Sequence, residues 1–99
     1  MARIRWTPQA LDDVDAICEY IARDAPRTAK RFGQRLFQTV EPLERSPLSG
    51  QIVPERGQSD IREIRLKRYR IIYRVLDDDT LEILTVHHGS RLLDIDTLS

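Results

Sequence analysis

Ile61-Arg62-Glu63-Ile64-Arg65-Leu66, then Lys67-Arg68, then Tyr69-Arg70-Ile71-Ile72-Tyr73-Arg74-Val75-Leu76 is the stretch whose reading decides the fold. Apolar and charged residues alternate with a period of two on both sides of Lys67-Arg68, the pattern of two strands joined by a tight turn. A two-residue turn sets Leu66 against Tyr69, Arg65 against Arg70, Ile64 against Ile71 and Glu63 against Ile72. Leu81 to His88 supplies a further strand. If Asp77-Asp78-Asp79 is a three-residue loop, Leu76 faces Thr80 and Arg74 faces Glu82. One face of this antiparallel meander then collects Ile64, Leu66, Tyr69, Ile71, Tyr73, Val75, Leu81 and Ile83, a core side. The other collects Glu63, Arg65, Arg70, Ile72, Arg74, Leu84, Val86 and His88. A slip of one residue would exchange the faces, and Lys-Arg lacks the Gly or Asn that tight hairpins favour.

Upstream, Arg3-Ile4-Arg5-Trp6-Thr7 also alternates and reads as a short edge strand. Thr7-Pro8 opens a helix, because a threonine oxygen accepts from the first orphan amides and proline at the first helical position forfeits no hydrogen bond. Leu11, Val14, Cys18, Ile21 and Ala22 form its apolar stripe, with Asp12, Asp13, Asp15 and Glu19 elsewhere around the cylinder. Asp24-Ala25-Pro26 ends that helix and begins another, giving an antiparallel hairpin. Ala29, Phe32, Gly33, Leu36, Val40 and Leu43 are the second stripe, and Arg27, Lys30, Arg31 and Arg35 lie mostly away from it. Pro42 predicts a kink near Glu41 or an end at Val40, with Leu43 carried on a following turn. Residues 46 to 60 collect Pro, Gly and Ser and read as a long loop. The expected fold is α+β, in the order β-α-α-β-β-β, an antiparallel sheet with the helix hairpin on one face.

Ninety-nine residues, 40% of them hydrophobic, make a single domain over 1–99 with one principal core, burying about 65% of the unfolded surface. No apolar run approaches the ~20 residues of a membrane span and no secretory h-region opens the chain, so a cytoplasmic protein without membrane association is expected. Cys18, the single cysteine, excludes an internal disulfide. Sixteen basic residues balance sixteen acidic ones, yet residues 25 to 74 carry 12 basic against 5 acidic, while residues 75 to 99 carry 1 against 6. Long-range capture of nucleic acid is disfavoured by overall neutrality. A local cationic surface could still bind phosphates or an acidic protein segment.

Arg65 beside Arg70 is a like-charge cross-strand pair costing up to about 1 kcal/mol, which stability alone would not select. Two guanidiniums together can clamp a phosphate or carboxylate; Arg74 extends the group, with Glu82 positioned to neutralise it. The alternative is a solvated basic face. His87 and His88 point to opposite faces of one strand and cannot chelate one metal together, and no cofactor is expected. Cys18 reads as a packed small hydrophobe, Asp77-Asp78-Asp79 as a solvated turn, and Trp6, Phe32 and Phe37 as core. Arg62, on the core-facing parity, reads as snorkelling at an edge. Gly89 permits a sharp turn that places Ser90 and Arg91 near a sheet edge.

Read in order, Thr7-Pro8-Gln9-Ala10-Leu11-Asp12-Asp13, Tyr20-Ile21, Pro26 with Ala29 and Phe32, Leu43, Pro47, Gly50, Ile61-Arg62-Glu63-Ile64, Tyr69 to Val75 and His88-Gly89-Ser90-Arg91 resemble the RelE/ParE superfamily of bacterial toxins, closer to the ParE-like branch. The resemblance implies the same fold and a type II toxin-antitoxin system, with growth inhibition, plasmid stabilisation and a neutralising ParD-like antitoxin. RelE-like members cleave mRNA on the ribosome, whereas several ParE-like members poison DNA gyrase. Arg70 and Arg91 match arginines tied to nuclease chemistry, Arg65 stands for one strand lysine, Glu63 occupies the place of the second, and Leu92 to Ser99 contain no Tyr, His or Lys. RNA cleavage needs a base, an acid and charge stabilisation, and guanidinium supplies only the last. His88 is then the candidate acid or base, in a set of Arg65, Arg70, His88 and Arg91. Arg65, Arg70, Arg74 and Arg91 form the candidate target or anion-binding set. The leading expectation is a non-enzymatic ParE-like toxin acting on gyrase; the alternatives are a RelE-like endoribonuclease whose partners are the ribosome and mRNA, and a nontoxic interaction module.

Overall fold

A computed structural model of the chain describes residues 1–77 and 79–89. Its elements are β1 (Arg3–Trp6), α1 (Pro8–Ala22), α2 (Pro26–Val40), a 3-10 turn (Glu41–Glu44), β2 (Gln51–Ile52), β3 (Ile61–Leu66), β4 (Tyr69–Asp77) and β5 (Thr80–His88). The α+β class and the helix hairpin against one face of the sheet are as expected. Two features of the sheet differ. Strand order is β1-β5-β4-β3-β2, and β1 runs parallel to β5, from Arg3 beside Thr80 to Trp6 beside Ile83, so the sheet is not wholly antiparallel. The two helices carry the chain across the sheet, and β1 meets β5 in the same direction. Within the expected loop, Gln51 and Ile52 pair with Glu63 and Arg62 as a short edge strand.

The β3–β4 register is the one the alternation requires, Leu66 opposite Tyr69 through Glu63 opposite Ile72. The turn lacks glycine because Lys67 itself adopts the left-handed region, with φ 54°. The β4–β5 ladder departs from regular pairing twice. Near the loop, Asp77 rather than Leu76 faces Thr80, while Arg74 still faces Glu82. Farther along, Tyr73 faces Ile83 but Ile72 faces Thr85, leaving Leu84 as an extra residue. Such a bulge reverses side-chain parity beyond it. Val86 therefore joins the helix-side core, and His88 stands edge-on to Tyr69 with ring centroids 5.4 Å apart. Both had been expected on the opposite face; His87 takes that place, opposite Arg70.

Asp13 accounts for the local irregularity from above. Its Oδ2 accepts from the Thr85 hydroxyl and, at 3.0 Å, from the Val86 amide, tying α1 to the bulge. Thr7 ties the start of the same helix to β5: its Oγ1 accepts from the Ala10 amide at 3.2 Å and is placed to donate to the Ile83 and Leu84 carbonyls. The α1 stripe is shifted from the expected one. Ala10 and Val14 are buried, Ile17, Cys18 and Ile21 pack beside them, and Leu11 is exposed. In α2, Ala29, Phe32, Leu36 and Val40 are buried as expected, the helix ends at Val40, and the 3-10 turn delivers Leu43 to the core. Trp6 and Phe37 pack ring on ring at 4.7 Å, with Phe37 nearly half exposed at the margin. Among the described residues no helix is long and apolar enough to cross a membrane.

Residues 46–60 are fastened down despite their composition. Val53 inserts with Ile61 and Ile72 into a second small core on the face away from the helices. Arg62 donates to the carbonyls of Ser59, Leu48 and Gly50, so from its half-exposed edge position it also closes the loop. The Tyr73 hydroxyl donates to the Pro47 carbonyl at 2.7 Å and accepts from the Gly50 amide at 3.0 Å. At Gly50 a Cβ would stand 2.5 Å from that hydroxyl and 2.7 Å from the Glu63 carbonyl. Gly50→Ala is therefore expected to cost about 1–3 kcal/mol in chemical denaturation. Gly33→Ala, where a Cβ would meet only Cys18 Sγ at 3.6 Å, should be neutral or stabilising by up to about 1 kcal/mol.

Candidate functional site

The cross-strand pairs Arg65–Arg70 and Arg70–His87 place three nitrogenous side chains in one row over β3, β4 and β5, on the face away from the helices. Arg70 is the centre of the row and is nearly buried, its side chain 6% exposed. Two carboxylates hold it. Glu63, 5% exposed on β3, receives Nε at 2.6 Å and also contacts Nη2. Glu55, in the turn after Val53, receives Nη1 at 2.7 Å and Nη2 at 2.9 Å, a bidentate fork. This hydrogen-bonded pairing lowers the Glu55 carboxyl from 4.5 to about 2, and Arg70 is raised in return. The like-charge cost anticipated for Arg65 against Arg70 is thus offset by the chain's own acids. Arg65 also faces Glu63, at 3.5 Å, but remains 58% exposed.

The other candidate residues are distributed differently. Arg74 lies four residues along β4, about 13 Å from Arg70 by strand rise, with Asp60 3.8 Å from its Nε. Glu82, the expected neutraliser of Arg74, lies 4.0 Å from Arg5. His88 does not share a face with Arg70, so the nuclease set read from the sequence is split by the sheet. Arg91 and Ser90 lie outside the described residues. Gly89 donates to the Arg68 carbonyl at 2.7 Å, and a Cβ there would lie 3.0 Å from that oxygen; close backbone approach, without a positive φ, accounts for the glycine. Burial, reinforced by Asp15, raises the Cys18 thiol, in keeping with a packed residue whose Sγ lies 3.8 Å from the Ala29 carbonyl.

Glu63 was not among the site residues expected from the sequence; the signal for it was its place on one face with Arg65, diagonally across the ladder from Arg70. Glu55 carried no such signal, because loop spacing does not say which strand residue a loop will cover.

A second charged surface lies on the helix hairpin. Arg27, Arg31 and Arg35 recur every four residues along α2 with Lys30 beside them, all exposed, and the helix contains no acidic residue. An open groove between the helices is lined by Cys18, Glu19, Ala22, Ala29, Lys30 and Gly33, so that Lys30 is the α2 cation that borders it. Among the described residues no group of three or more His, Cys, Asp or Glu side chains gathers as a metal site would require.

Comparison with known proteins agrees with this architecture. Residues 4–93 match the family described as the ParE toxin of the type II toxin-antitoxin system, parDE. The Sinorhizobium fredii protein Y4kP, named as a toxin, is 43% identical over 89 residues, covering 88% of each chain. Toxin RelE2 of Caulobacter vibrioides is 29% identical over 92 residues, covering 93% of this chain and all of that one. In fold, the chain is similar to a chromosomal ParDE system structure from P. aeruginosa, with TM-score 0.75, 24% identity, and 89% and 96% of the two chains covered. It is less similar to the YoeB dimer from Staphylococcus aureus, with TM-score 0.53, 18% identity, and 88% and 95% covered.

Arg70→Ala should destabilise the protein by about 3–5 kcal/mol, because it strands the buried Glu63 carboxylate, whereas Arg65→Ala should change stability by about 1 kcal/mol or less; equilibrium urea denaturation measures both. Because the Glu55 carboxyl is depressed in the folded state, its contribution is complete above about pH 4.5 and is lost as pH falls towards 2. Thermal midpoints measured across that window should fall more steeply for the native chain than for Glu55→Gln.

Proposed function

The chain belongs to the ParE toxin family of type II toxin-antitoxin systems, and from that membership we propose that it inhibits bacterial growth by binding DNA gyrase and is neutralised by a ParD-like antitoxin. The observation that carries a binding mode over RNA cleavage is the state of Arg70. The strand arginine that a nuclease would turn toward a phosphate is gripped by Glu55 and Glu63, and His88, the acid or base the sequence offered, lies across the sheet from it. Arg65 is the exposed member of the row and the residue proposed to touch the target, with Arg74 and Arg91 as further members of that set. In a supercoiling assay, antitoxin-free protein should inhibit gyrase. Intact gyrase activity alongside cleavage of mRNA on ribosomes would reverse the choice.

The RelE-like reading keeps one specific support: His87 stands opposite Arg70 on β5, where an acid or base would be needed. It requires Glu55 to vacate Arg70. Arg70→Ala cannot test it, since that variant disturbs folding, so Arg65→Ala and His87→Ala in the ribosome-dependent cleavage assay are the informative changes; unchanged cleavage in both would end this reading.

For the antitoxin, α2 and the adjoining groove supply charge and apolar area together. Exposed cations without an acidic neighbour on their own helix suit an amphipathic segment that sets apolar side chains over Ala22, Ala29 and Gly33 and carboxylates toward Lys30 and the neighbouring Arg27. Such a segment can fold as it binds. Arg27→Glu combined with Lys30→Glu should weaken affinity for the co-expressed antitoxin at least about tenfold and flatten its dependence on salt. Affinity indifferent to both changes would place the antitoxin elsewhere.

A further inference from the structure

We propose that the helix hairpin is a self-association surface, on which two copies of this chain pair groove to groove about a two-fold axis running along the groove. The pairing goes beyond the toxin reading and rests neither on the target nor on the antitoxin.

The groove continues beyond its lining residues as a strip of apolar surface. Leu11 shares a row of α1 with Cys18 and Ala22, at i, i+7 and i+11, and Phe37 shares a row of α2 with Ala29 and Gly33, at i+8, i and i+4. One end of the strip carries two large side chains left in water, Leu11 44% and Phe37 46% exposed, with Phe37 resting on Trp6. Toward the other end the side chains are small and the helices close, a Cβ on Gly33 having 3.6 Å to Cys18 Sγ. Small residues there let another helix pair approach, and the large ones supply the apolar area that its approach would cover.

Opposite charges flank the strip. On α1, Asp12, Asp15 and Glu19 recur at i, i+3 and i+7, all exposed; Glu19 borders the groove, and the charge of Asp15 is felt at the Cys18 thiol. On α2, Lys30 borders the groove and Arg27 precedes it by one turn. A segment of one sign neutralises one rim, whereas a second copy neutralises both, and in one orientation only. Rotation about an axis along the groove lays α1 over the partner's α2, so Glu19 meets the partner's Lys30, Lys30 meets the partner's Glu19, and Leu11 meets the partner's Phe37. Rotation about an axis across the groove sets acid upon acid. The favoured rotation also leaves every facing helix antiparallel, as in a four-helix bundle.

The size of the face fixes the strength of the pairing. Two 15-residue helices, each about 22 Å long and about 10 Å wide, present a face of about 450 Å². Two such faces give about 900 Å², below the ~1,200 Å² of a permanent contact, so the dimer is reversible and forms with rising concentration. An antitoxin segment seated in the groove excludes the second copy, and the two associations compete.

The experiment is sedimentation equilibrium of the antitoxin-free chain over a concentration series. The native chain should pass reversibly from monomer to dimer. Because each substitution enters the interface twice, Glu19→Lys and Lys30→Glu should each weaken dimerisation at least about tenfold. The double variant should recover it to within a few-fold, and so should an equimolar mixture of the two single variants, whose rims complement each other. A short bismaleimide should join the single Cys18 to the partner's Cys18 in the native chain and not in Glu19→Lys, since both thiols lie close to the axis. A native chain that stays monomeric up to ~0.1 mM overturns the proposal and leaves the groove to the antitoxin. A dimer indifferent to both charge reversals, a double variant that fails to recover, or a dimer without the Cys18 link overturns it too. No antitoxin or gyrase enters these measurements, so their outcome is separate from the toxin reading.

Discussion

The buried contact between Arg70 and Glu63 governs the outer face of this protein. A carboxylate and a guanidinium taken out of water are each expensive, and they are tolerated together only because their geometry is nearly ideal and their remaining hydrogen-bonding capacity is filled. Glu63 uses its second oxygen on Arg65, and Arg70 uses its outer edge on Glu55. From this follow the position of the turn after Val53, the small second core beneath it and the exposure of Arg65. What looked in the amino-acid pattern like two repelling arginines is an ionic lattice of four side chains, with the positive end left in water.

The bulge in β5 is the second constraint. One extra residue at Leu84 lets Ile83 and Val86 both serve the helix-side core and sends His88 toward Tyr69 and His87 toward Arg70. Asp13 completes the arrangement by accepting from the amide and hydroxyl at the bulge, which couples the middle of α1 to the strand. A helix aspartate that looks solvated in a periodicity count is thus a positioning group for the sheet.

Period-two alternation was sufficient for the β3–β4 hairpin, because only one register buries Ile64, Leu66, Ile71 and Tyr73 together. Pro42 and Thr7 were equally readable, each acting through its own backbone chemistry. Beyond Ile72 the same alternation misassigned Val86 and His88, since a bulge adds a residue without altering local composition. The loop of residues 46–60 was opaque for a related reason: its three anchors, Val53, Tyr73 and Arg62, act through contacts distant along the chain, and composition records only that the segment bends. The candidate site was therefore partly legible, with Arg65 and Arg70 expected from the hairpin and Glu63 placed on their face without a role, while Glu55 and His87 required the folded chain.

Parallel pairing of β1 with β5 also sets a timetable for the emerging polypeptide. The partner of Arg3–Trp6 is β5, and Thr7 waits for carbonyls more than seventy residues downstream. During translation the helices and the central hairpin can gather first, but the flank of the sheet stays open until Thr80–His88 has left the ribosome. A toxin built this way closes the flank of its sheet only after Thr80–His88 has emerged, which leaves any neutralising partner already present the whole of that interval in which to arrive.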